Sequence, residues 1–259
     1  MKDFSNIKNS VFADKWEAES SCEVEQNYSL LKKIETIEPF FVRRMPLWKR
    51  ILDIFGSLAG LIILSPVFLF IASLIKIVSP GPVLFKQTRI GYGCKEFKFW
   101  KFRTMKVNTD SSCHQKYLSE LINEDTDEDQ EVVKPMIKQD RDNPNIISFG
   151  HFLRSSCLDE LPQLINVLSG DMSLVGPRPA IPYEVEQYLI WHKGRFDSLP
   201  GMTGLWQVSG KNRLTFKEMI RLDIQYERQM SLLTDLKILL MTPFAIMKEY
   251  LYSRQDSCD

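Results

Sequence analysis

The sequence predicts a mostly helical α+β protein organised around a broken apolar helix, and three observations carry that prediction. Ile54 to Ile75 holds no charged residue and is interrupted by Ser65-Pro66. Val83 to Met105 alternates apolar and polar side chains around Gly91 and Gly93, the period of a β-hairpin or two short strands. Leu214 to Leu232 repeats apolar residues at helical spacing. A chain of 259 residues with 44% apolar content suffices for one large domain plus appendages.

Residues 1–42 form an acidic extension of unknown role, with 5 basic against 8 acidic side chains and an amphipathic stretch from Tyr28 to Ile37. Residues 43–80 read as a membrane-inserted segment. The uncharged run is long enough for a helix of about 33 Å, one bilayer core. It lies too far from the N-terminus, and lacks the small-residue cleavage pattern, for a secretory signal, so it is expected to be retained. Arg43, Arg44, Lys49 and Arg50 precede it and Lys76, Lys86 and Arg89 follow, so basic residues flank both ends and both read as cytoplasmic. Pro66 removes a helical hydrogen bond, and Ser65 can bond the carbonyls this frees. A re-entrant helix-break-helix is therefore expected, ahead of a kinked spanning helix or a buried core helix.

In the hairpin region Lys98, Lys101 and Arg103 are read on one face, where Lys101 and Arg103 can meet one anion; a solvated basic strand is the alternative. Residues 106–140 form an acidic loop. Asp125-Thr126-Asp127 there and Asp140-Arg141-Asp142 at its end match the Asp-x-Asp pattern of metal-dependent glycosyltransferases, a match that an acidic tract produces cheaply. Tyr183 to Phe196 reads as helical. PGMTGLWQVSGKNR is a Gly-rich connection bearing Trp206, Gln207, Lys211 and Arg213. LKILLMTPFAIMKEYLY, interrupted by Pro243, suits a pair of amphipathic helices lying in a membrane interface, or core packing.

Several chemistries are excluded. Five scattered cysteines without a C-x-x-C pair support neither a disulfide framework nor a thiolate zinc site. His114, His151 and His192 form no H-E-x-x-H, and neither G-x-G-x-x-G nor a P-loop occurs. The overall charge is zero, yet residues 43–103 carry 11 basic against 2 acidic side chains. A basic block that contains the most apolar run points to an anionic membrane surface or phosphate-bearing ligands, and no nucleic-acid signature accompanies it.

The densest chemistry lies in SSCLDELPQLINVLSGDMSLVGPRP, where Asp159 and Glu160 are adjacent. Pro162 suits a first helical turn, which puts Asp159 near the N-cap and Glu160 just inside the helix. Capping and catalysis are both open on that ground alone.

Three blocks together resemble a known family: KFRTM at 101–105, LRSSCLDELPQLINVLSGDMSLVGPRP at 153–179 and PGMTGLWQVSGKNRLTF at 200–216. They are similar to the bacterial sugar transferases, small monotopic polyprenyl-phosphate hexose-1-phosphate transferases, over roughly Trp48 to Tyr250. The stretch departs from its relatives at Ile147, Ser148 and His151, where they tend to carry basic or threonine-bearing versions. The resemblance implies transfer of a hexose-1-phosphate from a UDP-sugar to undecaprenyl phosphate, with release of UMP and initiation of an exopolysaccharide, capsule or O-antigen. It implies Asp159 as the nucleophile that forms an aspartyl-phosphosugar and Glu160 as ligand to Mg²⁺ (or Mn²⁺). Lys101, Arg103, Arg154, Arg178, Gln207 and Arg213 would bind substrate or phosphate, and Ser65-Pro66 would be the membrane break. Residues 81–252 would be the catalytic domain and 253–259 a tail. The implied setting is the bacterial inner membrane with the catalytic domain on the cytoplasmic face, among membrane lipids, with a homodimer and downstream glycosyltransferases as protein partners. A metal-dependent glycosyltransferase and a non-catalytic membrane docking protein are the competing readings.

Overall fold

A computed structural model describes residues 45–107, 122 and 143–255, apart from the side chains of 212 and 252–255. Its first helix, α1 (Leu47–Ile63), is amphipathic in the reverse sense. Lys49, Asp53 and Ser57, spaced four apart on one face, are buried, while Leu47, Ile51, Phe55, Leu58 and Ile62 are exposed. The polar stripe is bonded at each of its three residues, with only Asp53 Oδ2 left without a hydrogen-bond partner. Lys49 Nζ donates to Val175 O (2.9 Å), Tyr226 Oη (2.8 Å) and Asp235 Oδ2 (2.6 Å). Asp53 Oδ1 accepts from Ser173 Oγ (2.9 Å) and Leu174 N (2.8 Å), and Ser57 Oγ donates back to Asp53 O (2.6 Å).

Helix α1 stops at Ile63, and α2 (Ser65–Val78) leaves at 60° to it through Leu64. Pro66 lies in the first turn of α2, where its missing N–H costs nothing. Ser65 Oγ donates to Ile62 O at 2.8 Å, as its place beside the proline suggested. Among the described residues no single helix is long and apolar enough to cross a membrane, and this bent pair reaches that criterion only together. Helix α2 exposes Leu69, Phe70 and Ile77 and buries Ile71 and Ile75 against Phe102, Ile147 and Leu153. The packing therefore draws no boundary at residue 80, and Arg44–Asp259 forms one compact unit.

The expected hairpin is present. Strands β1 (Leu84–Ile90) and β2 (Glu96–Phe102) pair antiparallel from Leu84↔Phe102 to Ile90↔Glu96. Their connection is a 3-10 turn, Tyr92–Cys94, in which Gly93 (φ 61°) and Cys94 (φ 58°) are left-handed. The register corrects the expected basic face: Lys98 and Lys101 are three apart and point to opposite sides, and Lys98 Nζ donates to Thr88 Oγ1 at 2.8 Å.

Beyond 143, helices α3 (Gly150–Ser155) and α4 (Gln163–Ser169) precede β3 (Ser173–Val175). Asn166 hooks α4 to β2, accepting from Trp100 N (3.1 Å) and donating to Lys98 O (2.7 Å). Arg50 of α1 donates to Val167 O and Leu168 O (2.8 Å each), which satisfies carbonyls at the end of α4. Helix α5 (Pro182–Val185) and a 3-10 segment, Ile190–Asp197, replace the single helix expected over Tyr183 to Phe196. The chain is redirected at extended Leu189, which sets the rings of Tyr188 and His192 against Phe216; tertiary packing overrides local propensity here.

Strand β4 (Gly201–Thr203) pairs parallel with β3, a second small sheet where the sequence suggested only a Gly-rich connection. Helix α6 (Leu205–Ser209) and a 3-10 turn, Lys211–Arg213, lead to α7 (Phe216–Gln229), whose periodicity the sequence displayed. Its capping box is complete: Thr215 Oγ1 accepts from Glu218 N (3.2 Å) and Glu218 Oε2 from Thr215 N (2.9 Å). Helix α8 (Leu232–Gln255) is one helix running through Pro243, where two were expected. Thr242 beside the proline donates from Oγ1 to Ile238 O (2.7 Å) and meets Thr203 Oγ1 (2.8 Å), which fastens α8 to β4 at that point. Leu233, Leu240, Phe244, Met247 and Leu251 remain exposed along α8.

The Lys49–Asp235 pair is fully buried, so removing one partner strands a charge. Lys49→Met is expected to cost about 3–5 kcal/mol, most of it recovered in the Lys49→Met/Asp235→Leu double variant. Denaturant unfolding of the purified proteins measures both.

Candidate active site

The two carboxylates are set by a local turn. Cys157 is left-handed (φ 57°, ψ 16°), and the chain then winds through a 3-10 turn, Leu158–Glu160, in which Asp159 is buried and Glu160 half-buried. Pro162 follows as the N-cap residue of α4. The carboxylates thus stand ahead of the helix, whose N-cap is Pro162, and not at its N-cap and in its first turn as the sequence placed them. A 3-10 turn rotates about 120° per residue, so the two side chains diverge.

Cations converge on this pair from separate elements. Lys101 on β2 pairs with Phe85 and shares the hairpin face with Arg89 of β1. Burial pushes the Lys101 ammonium down to about 8, Arg89 and Arg154 push the same way, and Asp159 and Glu160 oppose them. Arg89 is held down to about 10, by burial first and then by Arg178, against Glu184, Tyr183 and Glu160. Lys211, left-handed at φ 47°, places Nζ 3.4 Å from Cys157 Sγ. Burial would lower its ammonium, but Cys157, Glu160 and Glu249 outweigh that and raise it.

The GPRP turn runs between β3 and α5 and is held by close backbone contact. A Cβ on Gly176 would lie 2.2 Å from Leu199 O, and one on Gly201 would lie 2.0 Å from Gly176 N. Glycine at both positions lets GPRP and PGMTG meet, with Gly201 N donating to Pro177 O and Gly176 N to Thr203 O, each at 2.8 Å. Arg178 Nη1 donates to Glu184 Oε1 at 3.1 Å, and the Glu184 Oε2 accepts from Ile181 N at 2.8 Å. Burial would lift the Glu184 carboxyl, but Arg178, Arg89, the Ile181 N–H and Arg195 together hold it below its ordinary value.

Of the expected site residues, Lys101 stands within electrostatic reach of Asp159, Glu160 and Arg154, and Arg178 acts on Arg89, which itself feels Glu160. Arg103 is spent elsewhere. It is buried and donates to Ser79 O (2.7 Å) and Pro80 O (2.9 Å), which closes the end of α2, while its Nε has no hydrogen-bond partner. Gln207 donates from Nε2 to Met202 O at 3.1 Å, while its buried Oε1 has no hydrogen-bond partner. Arg213 is exposed at the end of the Lys211–Arg213 turn. Sequence reasoning passed over Arg89, Glu184, Arg195 and Asp223. Arg89 becomes visible once the hairpin register places it on the Lys101 face; the other three carry no local signal.

Among the described residues no group of three or more His, Cys, Asp or Glu side chains is placed to hold a metal ion. Because the carboxylates of Asp159 and Glu160 diverge, this turn offers a Mg²⁺ a single carboxylate, with the rest of its shell left to substrate phosphates and water. Both Asp-x-Asp matches lie outside the described residues.

Residues 44–249 match the family described as bacterial sugar transferase. The chain is 42% identical over 195 residues to the galactosyl transferase CpsE of Streptococcus agalactiae serotype III, covering 75% of this chain and 41% of that one. It is 37% identical over 194 residues to the exopolysaccharide production protein ExoY of Sinorhizobium fredii, covering 75% and 83%. It is 38% identical over 210 residues to the UDP-glucose:undecaprenyl-phosphate glucose-1-phosphate transferase of Escherichia coli K12, covering 76% and 40%. The chain thus spans about two fifths of CpsE and of the E. coli enzyme, and most of ExoY. With most of its length matched and the carboxylate pair framed by cations, this chain belongs to the bacterial sugar transferase family.

Proposed function

We propose that this protein transfers a hexose-1-phosphate from a UDP-sugar to undecaprenyl phosphate, releasing UMP and initiating a lipid-linked exopolysaccharide, capsule or O-antigen. The observation that carries the proposal is the Asp159–Glu160 pair within electrostatic reach of Lys101, with Arg89 and Lys211 acting on Glu160 and Arg154 on Lys101. A carboxylate that attacks an anionic diphosphate needs such neutralisation. The names of the E. coli relative and of CpsE support the reaction type and a glucose or galactose substrate.

In the proposed first step, an Asp159 oxygen attacks the sugar-linked phosphorus, the bond from that phosphorus to UMP breaks, and UMP departs with the electron pair. In the second, a phosphate oxygen of undecaprenyl phosphate attacks the same phosphorus and Asp159 leaves as a carboxylate. Lys101, Arg154 and Arg178 stabilise the charge on the phosphoryl oxygens through both steps. Glu160 would hold Mg²⁺ or Mn²⁺, which would supply neutralisation of the diphosphate charge.

The outward faces support the proposed membrane setting. Helices α1, α2 and α8 turn Ile51, Phe55, Leu69, Phe70, Leu240 and Phe244 outwards, where hydrocarbon suits them better than water. In the proposed topology the bent α1–α2 pair enters the inner membrane and returns, which leaves both termini and the active site on the cytoplasmic face, where the lipid phosphate is exposed.

Incubation of the purified protein with UDP-hexoses, undecaprenyl phosphate and Mg²⁺ tests the reaction. UMP release supports it; UDP release supports a metal-dependent glycosyltransferase, and neither product a docking protein. Asp159→Asn is expected to abolish both UMP release and covalent labelling by a radioactive UDP-sugar, and full turnover in that variant would sink the nucleophile assignment. Lys101 is a cation below about pH 8 and neutral above it. The kcat/KM for the UDP-sugar should therefore fall as pH rises through that value, because the free-enzyme ionisation governs this parameter. Lys101→Arg stays charged and should remove the alkaline fall. For topology, impermeant thiol reagents added outside intact cells should label a cysteine at neither terminus; labelling at one end would indicate a spanning helix.

A further inference from the structure

The family reaction does not account for a second ion pair, buried behind the GPRP turn. Arg195 of the 3-10 segment and Asp223 of α7 meet at 2.5 Å with both side chains sealed from solvent. The same Arg195 Nη2 donates to the main-chain carbonyl of Arg178 at 2.8 Å, and Nη1 to Tyr188 Oη at 2.8 Å. One residue on, Pro179 O accepts from Arg89 Nη1 at 3.1 Å. The backbone of Arg178-Pro179 is therefore held from behind by two buried guanidiniums, and the Arg178 side chain is braced from one side by Glu184. Arg178 itself keeps 21% of its side-chain surface exposed.

Burying an arginine and a carboxylate is costly, and a pair of well-packed apolar residues stabilises a fold at least as well. A fork that shares one arm between an aspartate and a main-chain carbonyl and spends the other on a tyrosine fixes orientation instead. Arginine is suited to this because its planar donors are pre-organised. We infer that the Arg195–Asp223 pair is a positioning strut for the transfer reaction, acting through Arg178 by setting where its guanidinium meets the diphosphate of the nucleotide sugar. The inference rests on the reading of Arg178 as a phosphate ligand. Neither strut residue touches substrate. Asp223 orients Arg195, Arg195 fixes the Arg178 carbonyl, and Glu184 completes the aim of the side chain.

The test is a double-mutant cycle on kcat/KM for the UDP-hexose, read as initial UMP release by the full-length protein below its unfolding temperature. Asp223→Asn is expected to lower kcat/KM about 10- to 100-fold, mainly through a raised KM, as a displaced ligand does. In an Arg178→Ala background the same substitution should add no more than about a twofold loss, since both changes remove one interaction. Arg195→Lys keeps the charge beside Asp223 but loses the fork, and it carries the same cycle where Asp223→Asn does not fold. Losses that multiply in the double variants, or a strut variant with unchanged kcat/KM, overturn the strut. Wild-type protein that releases no UMP from any UDP-hexose overturns the functional reading instead. The strut is then judged by UDP affinity in calorimetry, which Arg178→Ala and Asp223→Asn should lower alike; unequal or absent effects overturn it.

Discussion

The buried polar stripe of α1 is the constraint on which the rest of the molecule depends. Lys49 reaches β3, α7 and α8 at once through Val175 O, Tyr226 and Asp235. Asp53 ends on the first residues of β3. A helix so bonded on its polar side presents its apolar side outward, so the energetics of the interior decide which surface is left exposed. The usual hydrophobic pattern is inverted: bonded polar groups, which carry a large penalty if left unpaired, specify the inner face.

That constraint propagates to the site. Strand β3, anchored by Asp53 and Lys49, runs directly into Gly176 and the GPRP turn, so the position of Arg178 is referred back to α1. The parallel β3–β4 pair and the glycine contacts bring PGMTG against the same turn. Arg50 and Asn166 fix α4 to α1 and to β2 respectively, and α4 begins just after the carboxylates. Asp159, Lys101 and Arg178 come from segments far apart in sequence but are referred to one rigid frame. Such preorganisation favours a reaction that depends chiefly on placing cations around a phosphoryl group.

Buried charge is used twice with different ends. At Lys49–Asp235 it ties helices together and its loss falls on stability. At Arg195–Asp223 it backs a turn that carries a solvent-facing arginine, and its loss falls on aim. The two pairs are chemically alike, and what lies on the far side of each distinguishes them.

Much of this was legible in the sequence. Ser65-Pro66 marked the break because proline cannot keep its helical bond, alternation marked the hairpin, and the spacing of Leu214 to Leu232 marked α7. Asp159 and Glu160 stood out because carboxylates, arginines and prolines crowd one short block. The sequence by itself therefore determined the broken apolar segment, the hairpin and the identity of the acidic pair, all of which follow from period, backbone chemistry or local density. Only the tertiary structure decided that Arg103 closes α2, that Lys98 and Lys101 part company, that α8 runs through Pro243, and that Arg89, Glu184, Arg195 and Asp223 stand behind the site. Those outcomes depend on strand register and on contacts between residues up to 186 positions apart, as in Lys49 to Asp235, and no local pattern encodes which distant partner a buried charge will meet.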